Sequence, residues 1–144
     1  MLFESDVVNA LCAKLESLGY SIHQRLGTTQ RGDDIVAAKK RGLTRMLYIE
    51  AKGETSSRRG SERYGKPFDS AQMRIHVAEA FYKAAEVLSK KPEEGEVRAG
   101  MALPDSAGHR VALGRIEKVV SELGIAVFWV RDDAHVQAVS IWDL

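Results

Sequence analysis

The stretches GDDIVA at residues 32–37 and MLYIEAKG at residues 46–53 decide the expected fold of this 144-residue chain. Both are short and largely apolar, and a basic turn of Lys40, Arg41 and Gly42 lies between them. Two short apolar runs around such a turn predict a β-hairpin, with strands at residues 34–39 and 46–52.

Three charged side chains are expected on one face of this hairpin. Side chains at i and i+2 of a strand share a face, so Glu50 and Lys52 point the same way while Ile49 and Ala51 point into the core. If Asp34 begins the neighbouring strand, its carboxylate meets theirs. Two carboxylates and an ammonium offset their desolvation only with a partner, and a divalent cation is the partner that this set predicts.

Length and composition predict one domain, residues 1–144, that is large enough for a hydrophobic core. The apolar content of 44% and charged content of 28% are ordinary for a globular protein. Because Cys12 is the only cysteine, an internal disulfide and a cysteine-based zinc site are excluded. The first residues resemble neither a signal peptide nor a membrane span, so we expect a cytoplasmic protein without membrane contact.

The net charge of +1 conceals an uneven distribution. Residues 23–66 contain eleven Lys and Arg against five Asp and Glu, a balance of +6, whereas the rest of the chain contains ten against fifteen, a balance of −5. The basic excess surrounds the predicted carboxylates, where a bound polyanion would need it. The alternative is a solvated surface that is merely uneven.

The remaining periodicities predict helices on both faces of a mixed sheet, an α/β fold. Apolar residues at helical spacing predict helices over residues 3–18, from Asp69 or Ser70 to Lys90, and over residues 111–123. The predicted strands, besides the hairpin, are residues 20–26, 97–103, 125–130 and 136–142, the last at an edge. Because residues 125–130 are all apolar, we expect that strand to be buried on both faces.

The Gly-Asp-Asp34-Ile-Val-Ala and Tyr-Ile-Glu50-Ala-Lys52-Gly pair resembles the PD-(D/E)xK nuclease superfamily, whose fold is restriction-endonuclease-like. That core is a helix, a three-stranded antiparallel meander, a helix and a further strand. The resemblance covers the order of elements from residue 3 to about residue 130, but the specific motif occupies only residues 32–53. The chain departs from the family at Asp33, where proline is frequent.

The resemblance implies metal ligands, and Mg²⁺ or Mn²⁺ as the metal. Asp34 and Glu50 would be ligands, with the carbonyl of Ala51 as a further one, and Lys52 would polarise the attacking water or stabilise the phosphate. Glu4 would be an additional helical ligand, in competition with Asp6 and with the alternative of an acid that merely stabilises the helix N-terminus. Gln72 would reach the site or a phosphate, or else be a solvated helix residue.

Basic side chains beside the hairpin predict contacts to nucleic acid. The segment after the second strand is polar and glycine-rich, and its arginines suit bidentate phosphate contact while its tyrosine suits stacking. The alternative is an ordinary connector. The predicted nucleic-acid contacts are Arg58, Arg59, Arg63, Tyr64 and Lys66, extended by Arg25 and Arg31.

These observations predict a metal-dependent deoxyribonuclease, with RNA as the other possible substrate. So small a chain has no separate recognition domain, so specificity is expected from the basic segment, a homodimer through the C-terminal edge strand, or a partner subunit. The alternatives are a non-catalytic nucleic-acid-binding module on the same fold, and a scaffold whose basic segment docks an acidic protein.

Overall fold

The computed structural model describes residues 1–27, 32–55, 65–90 and 94–144. None of the helices in these ranges is long and apolar enough to cross a membrane. In chain order the elements are α1 (Glu4–Ser17), β1 (Ser21–Arg25), β2 (Ile35–Arg41), β3 (Leu43–Ala51), α2 (Ser70–Ser89), β4 (Glu96–Pro104), α3 (Ala107–Gly114), α4 (Glu117–Glu122), β5 (Ala126–Val130) and β6 (Val136–Val139).

The described strands form one six-stranded sheet in which spatial order equals chain order. β1, β2 and β3 are an antiparallel meander, β4 and β5 lie parallel to β3, and β6 returns antiparallel along β5. The α/β class and the mixed sheet that the sequence predicts are confirmed. All five residues of β5 are buried, as its apolar sequence indicates.

Helices cover both faces of the sheet, as predicted. On one face, Leu11 and Leu15 of α1 pack in a core with Leu47 and Ile49 of β3. The opposite core contains the inward residues of the other helices and strands: Val77, Ala80, Ala84, Met101, Leu103, Leu113, Val120 and Trp129. Alternate residues of β3 therefore face different helices, and Glu50 and Lys52 face α2.

The hairpin strands, the third helix and the last strand are wrong in their extent. β2 runs to Arg41 and β3 begins at Leu43, because Arg41 pairs with Leu43 and Gly42 alone, at φ 77°, makes the turn that was predicted over Lys40, Arg41 and Gly42.

The predicted helix over residues 111–123 is two helices: α3 ends at Gly114 with Arg115 as its C-cap, and Ile116, whose backbone is non-helical (φ −122°, ψ 7°), is the N-cap of α4. The last strand stops at Val139 rather than Trp142. There the Ser140 hydroxyl donates to the Trp142 carbonyl at 2.8 Å and accepts from its N–H at 3.1 Å, which turns the chain away from β5.

Candidate active site

The register of the hairpin brings Asp34 to Glu50. Ile35 is paired with Ile49, and the same antiparallel register continued by one residue places Asp34 opposite Glu50. Asp34 is only 8% exposed, and its Oδ2 accepts the Ala51 N–H at 2.8 Å. The Asp34 carboxylate thus extends the hydrogen-bond ladder past the end of β2. The carboxylates of Asp34 and Glu50 lie on neighbouring strands, and their repulsion is destabilising unless a cation compensates it.

Glu4 joins them because the start of α1 lies directly against the chain after β3. Leu2 and Glu54 exchange two hydrogen bonds, Leu2 N to Glu54 Oε1 at 2.7 Å and Glu54 N to the Leu2 carbonyl at 2.9 Å. The approach is so close that a Cβ on Gly53 would lie 2.5 Å from the backbone nitrogen of Glu4. Gly53 is therefore required for packing, and that packing sets Glu4 beside the hairpin.

Glu4, Asp34 and Glu50 form one electrostatically coupled group, which we call the carboxylate cluster. Burial, and next the charge of Asp34, raise the pKa of Glu4 and of Glu50 each to about 7, while Lys52 opposes both shifts. Burial also raises the pKa of Asp34, against the lowering effects of the Ala51 N–H and of Lys52. Near neutral pH the cluster therefore exchanges protons, and a cation would stabilise its charged form.

Lys52 lies between two acidic side chains from different elements. Its Nζ is 2.9 Å from Glu79 Oε2 and 3.5 Å from Glu50 Oε1. Burial acts to lower the pKa of Lys52, but Glu79, Glu50 and Glu4 outweigh it and the pKa is raised. The side chain is therefore a cation at neutral pH, held at the cluster.

Sequence reasoning missed Glu79. The only local signal is its position on α2, four residues before Lys83 and beside the buried stripe of Val77, Ala80 and Ala84. Lys83 also interacts electrostatically with Asp34 and Glu50.

The donor chemistry of the cluster fits a hard divalent cation. Glu50 Oε2 is buried and has no hydrogen-bond partner in the described part of the chain, so it is a candidate donor atom. Within the same ranges, however, no group of three or more His, Cys, Asp or Glu side chains is arranged to hold a metal. The two observations agree if Asp34, Glu50 and the Ala51 carbonyl supply part of the shell and water the rest, as Mg²⁺ prefers.

Gln72 lies in the first turn of α2, where its side chain caps the helix. Asp69 N–H donates to Gln72 Oε1 at 3.2 Å, and Gln72 N–H donates to Asp69 Oδ1 at 2.9 Å. This is a capping box, and it engages the oxygen of the side-chain amide for which contact with the site or a phosphate was predicted.

Two of the predicted nucleic-acid contacts are described. Arg25 Nε donates to Cys12 Sγ at 3.3 Å, so this guanidinium is turned toward α1. Lys66 is exposed, next to a bridge between Thr55 and Pro67 that joins the two ends of the segment after β3. The remaining predicted contacts, Arg31, Arg58, Arg59, Arg63 and Tyr64, lie outside the described residues.

His76 lies on α2 near Lys52, a placement that spacing alone did not establish. Its ring meets Phe68 edge-on with centroids 4.6 Å apart. Burial, followed by the charge of Lys52, lowers its pKa against the opposing effect of Glu79. His76 is therefore neutral at neutral pH and adds no charge to the cluster.

Fold and site together define an α/β protein with a carboxylate cluster and a lysine at the end of a β-hairpin. No protein-family model, curated protein or solved structure matches this chain.

Proposed function

We propose that the chain is a metal-dependent nuclease of the PD-(D/E)xK type that hydrolyses phosphodiester bonds of DNA. The observation that carries the proposal is the placement of Asp34 opposite Glu50, with the Lys52 ammonium 3.5 Å from Glu50. The order α1, antiparallel β1–β2–β3, α2 and β4 supports the restriction-endonuclease-like core within the α/β fold.

In this proposal each group has one task. Asp34, Glu50 and the Ala51 carbonyl hold the cation, with Glu4 as an additional ligand. When bound, Mg²⁺ or Mn²⁺ neutralises the phosphate and supplies hydroxide near neutral pH. Lys52 orients the attacking water or donates to the phosphate oxygens that gain charge, at a buried position where such donors are most effective.

Cation binding should depend on pH because Glu4 and Glu50 have pKa values of about 7. Below that pH both carboxyls hold protons that a metal must displace. Affinity for Mn²⁺, and with it cleavage, should therefore rise as the pH increases through about 7.

A non-catalytic nucleic-acid-binding module is the second candidate. It is favoured by the contact between Lys52 and Glu79 and by the lack, among the described residues, of a group of three metal-ligating side chains. Such a module would bind nucleic acid without needing the cluster to hold a metal.

The predicted homodimer or partner subunit remains part of the proposal. β6 lies at the edge of the sheet; its last residue, Val139, is 47% exposed, and Ile141 shortly after it is 68% exposed. An edge strand with exposed apolar side chains supports pairing with another chain.

The test is cleavage of supercoiled plasmid, linear duplex, single-stranded DNA and RNA in Mg²⁺, Mn²⁺ or EDTA. Wild type is compared with Asp34→Asn and Lys52→Ala, and with Lys118→Ala as a control at an exposed lysine of α4. We expect cation-dependent cleavage that Asp34→Asn and Lys52→Ala reduce at least a hundredfold and Lys118→Ala leaves unchanged, in line with the loss of a single charge-stabilising donor, about 10²–10³.

Equal cleavage by all four proteins would contradict the assignment of the site. Salt-sensitive binding without cleavage, and without Mn²⁺ binding in calorimetry, would favour the binding module. The relative rates on DNA and RNA decide the substrate.

A further inference from the structure

A groove of about 440 Å³ adjoins the carboxylate cluster and is lined by Glu50 and by one face of α2. Ile75 and Tyr82 contribute large side chains to it that are 51% and 66% exposed. They are seven residues apart, two helical turns, and so lie on the same face of α2. Large apolar side chains exposed together beside a polar site indicate a binding surface.

The charges around the groove restrict what can lie in it. Glu79 and Glu86 line it, so a phosphate would be repelled from its floor. Lys83, on the same face, interacts electrostatically with Asp34 and Glu50 and marks the side on which a phosphate is favoured. The ligand that fits is flat and apolar on its faces, carries N–H donors at its edge, and is attached to a phosphate.

A nucleobase has these properties. Bases stack on aromatic side chains whatever their identity. Their exocyclic amino groups donate to carboxylates. A base stacked inside an intact duplex has both faces covered and cannot enter such a groove.

We propose that the α2 groove, defined by Ile75, Glu79, Tyr82, Lys83 and Glu86, binds an unstacked nucleobase of the strand being cut. This inference rests on the proposed nuclease function, because it places the adjoining phosphate at Asp34, Glu50 and Lys52. If the groove binds an unstacked base, the preferred substrates are single strands, or duplex sites where a base leaves the helix. An undistorted duplex should be a poorer substrate.

The experiment is a comparison of base-containing and abasic oligonucleotides. Fluorescence anisotropy gives the affinity of a short labelled single strand, and of a series in which an abasic residue replaces each base in turn, in EDTA and in Ca²⁺. The proteins are wild type, Tyr82→Ala, Tyr82→Phe and Ile75→Ala, with Leu43→Ala as the matched control because Leu43 is 69% exposed at the turn end of the hairpin, away from Asp34 and Glu50.

We expect Tyr82→Ala to lower the affinity for the intact strand about tenfold. Its affinity should be unchanged for the strand in which the abasic residue stands at the position where base removal weakens wild-type binding most. Tyr82→Phe should bind like wild type, Ile75→Ala should bind the intact strand more weakly, and Leu43→Ala should have no effect. Wild type should also bind the single strand more tightly than the matching duplex.

Equal loss with intact and abasic strands, or no loss at all, would overturn the inference. So would wild type that binds no oligonucleotide in either buffer, or a dimer that Tyr82→Ala dissociates while oligonucleotide affinity stays unchanged. Cleavage by wild type in Mg²⁺ is scored separately. Cleavage without the Tyr82 effect would support the nuclease and refute base binding in the groove. The Tyr82 effect without cleavage would support base binding but refute the nuclease, and with it the placement of the scissile phosphate.

Discussion

Glu50→Gln should stabilise the protein at alkaline pH when no metal is present. Its side chain is 13% exposed, and burial, then Asp34, raise its pKa from 4.5 to about 7. At about 1.4 kcal/mol per pKa unit, this rise means that an ionised Glu50 destabilises the folded state by about 3.4 kcal/mol relative to a protonated one. Partial exposure, and the loss of one partner for Lys52, reduce the expected gain to about 1–3 kcal/mol.

The pH dependence of this gain follows from the sign of the shift. Because the folded pKa of Glu50 is above the unfolded value, the folded state binds the proton more tightly. The stabilising protonated form is fully present below about pH 4.5 and is lost as the pH rises through about 7. The variant should therefore differ little from wild type near pH 4.5 and most at pH 8.

The assay is urea unfolding in EDTA near pH 4.5 and at pH 8, with Glu122→Gln as the control at an exposed glutamate. Addition of Mg²⁺ at pH 8 should stabilise wild type more than Glu50→Gln, because the variant lacks a ligand. A difference between the two proteins that is the same at both pH values would refute the electrostatic argument. A variant less stable than wild type at pH 8 would show that Glu50 is held by favourable contacts instead.

Three further changes test the close packing at Gly53, the helix cap at Gln72 and the buried His109 of α3. Gly53→Ala should lower the free energy of unfolding, measured with urea, by about 1–3 kcal/mol and weaken Mn²⁺ binding, because the added Cβ lies 2.5 Å from Glu4 N. If both values were unchanged, the close approach at Gly53 would not be required. Gln72→Ala should lower the free energy of unfolding by about 0.5–1 kcal/mol, because it removes one half of the capping box, and should leave cleavage intact. Loss of cleavage without loss of stability would show that Gln72 has a catalytic role. Burial, then His76, lower the pKa of His109 to about 4, so the unfolded chain binds that proton first and the contribution of His109 to the free energy of unfolding should fall by up to about 3 kcal/mol between pH 6.5 and 4. His109→Gln should lack that loss in urea unfolding, and equal acid sensitivity would exclude His109 as its source.

Local spacing was sufficient to predict the hairpin and the direction of its side chains. Ile49 and Ala51 are 1% and 0% exposed, so their alternation with Glu50 and Lys52 determines which face each residue takes. The start of α2 was predictable for a similar reason. Asp69 is an N-cap residue three positions before Gln72, and both halves of the capping box lie within one turn.

The break between α3 and α4 was not predictable in the same way. The buried residues Leu113 and Val120 are seven positions apart, so they satisfy one continuous helical period across the break at Ile116. Apolar periodicity records which residues are buried. It does not record whether the backbone between them stays helical.

The contact between Lys52 and Glu79 joins residues 27 positions apart and depends on how α2 packs over the sheet. Lys52 is only 13% exposed, whereas the Glu79 side chain is 55% exposed. A buried ammonium requires an anion, but an exposed carboxylate can turn into water at little cost. A substrate phosphate could therefore replace Glu79 while Lys52 stays in place, so the same cation has an anionic partner both without and with substrate. Under the proposed function, Glu79 keeps the charge of Lys52 compensated until a phosphate arrives.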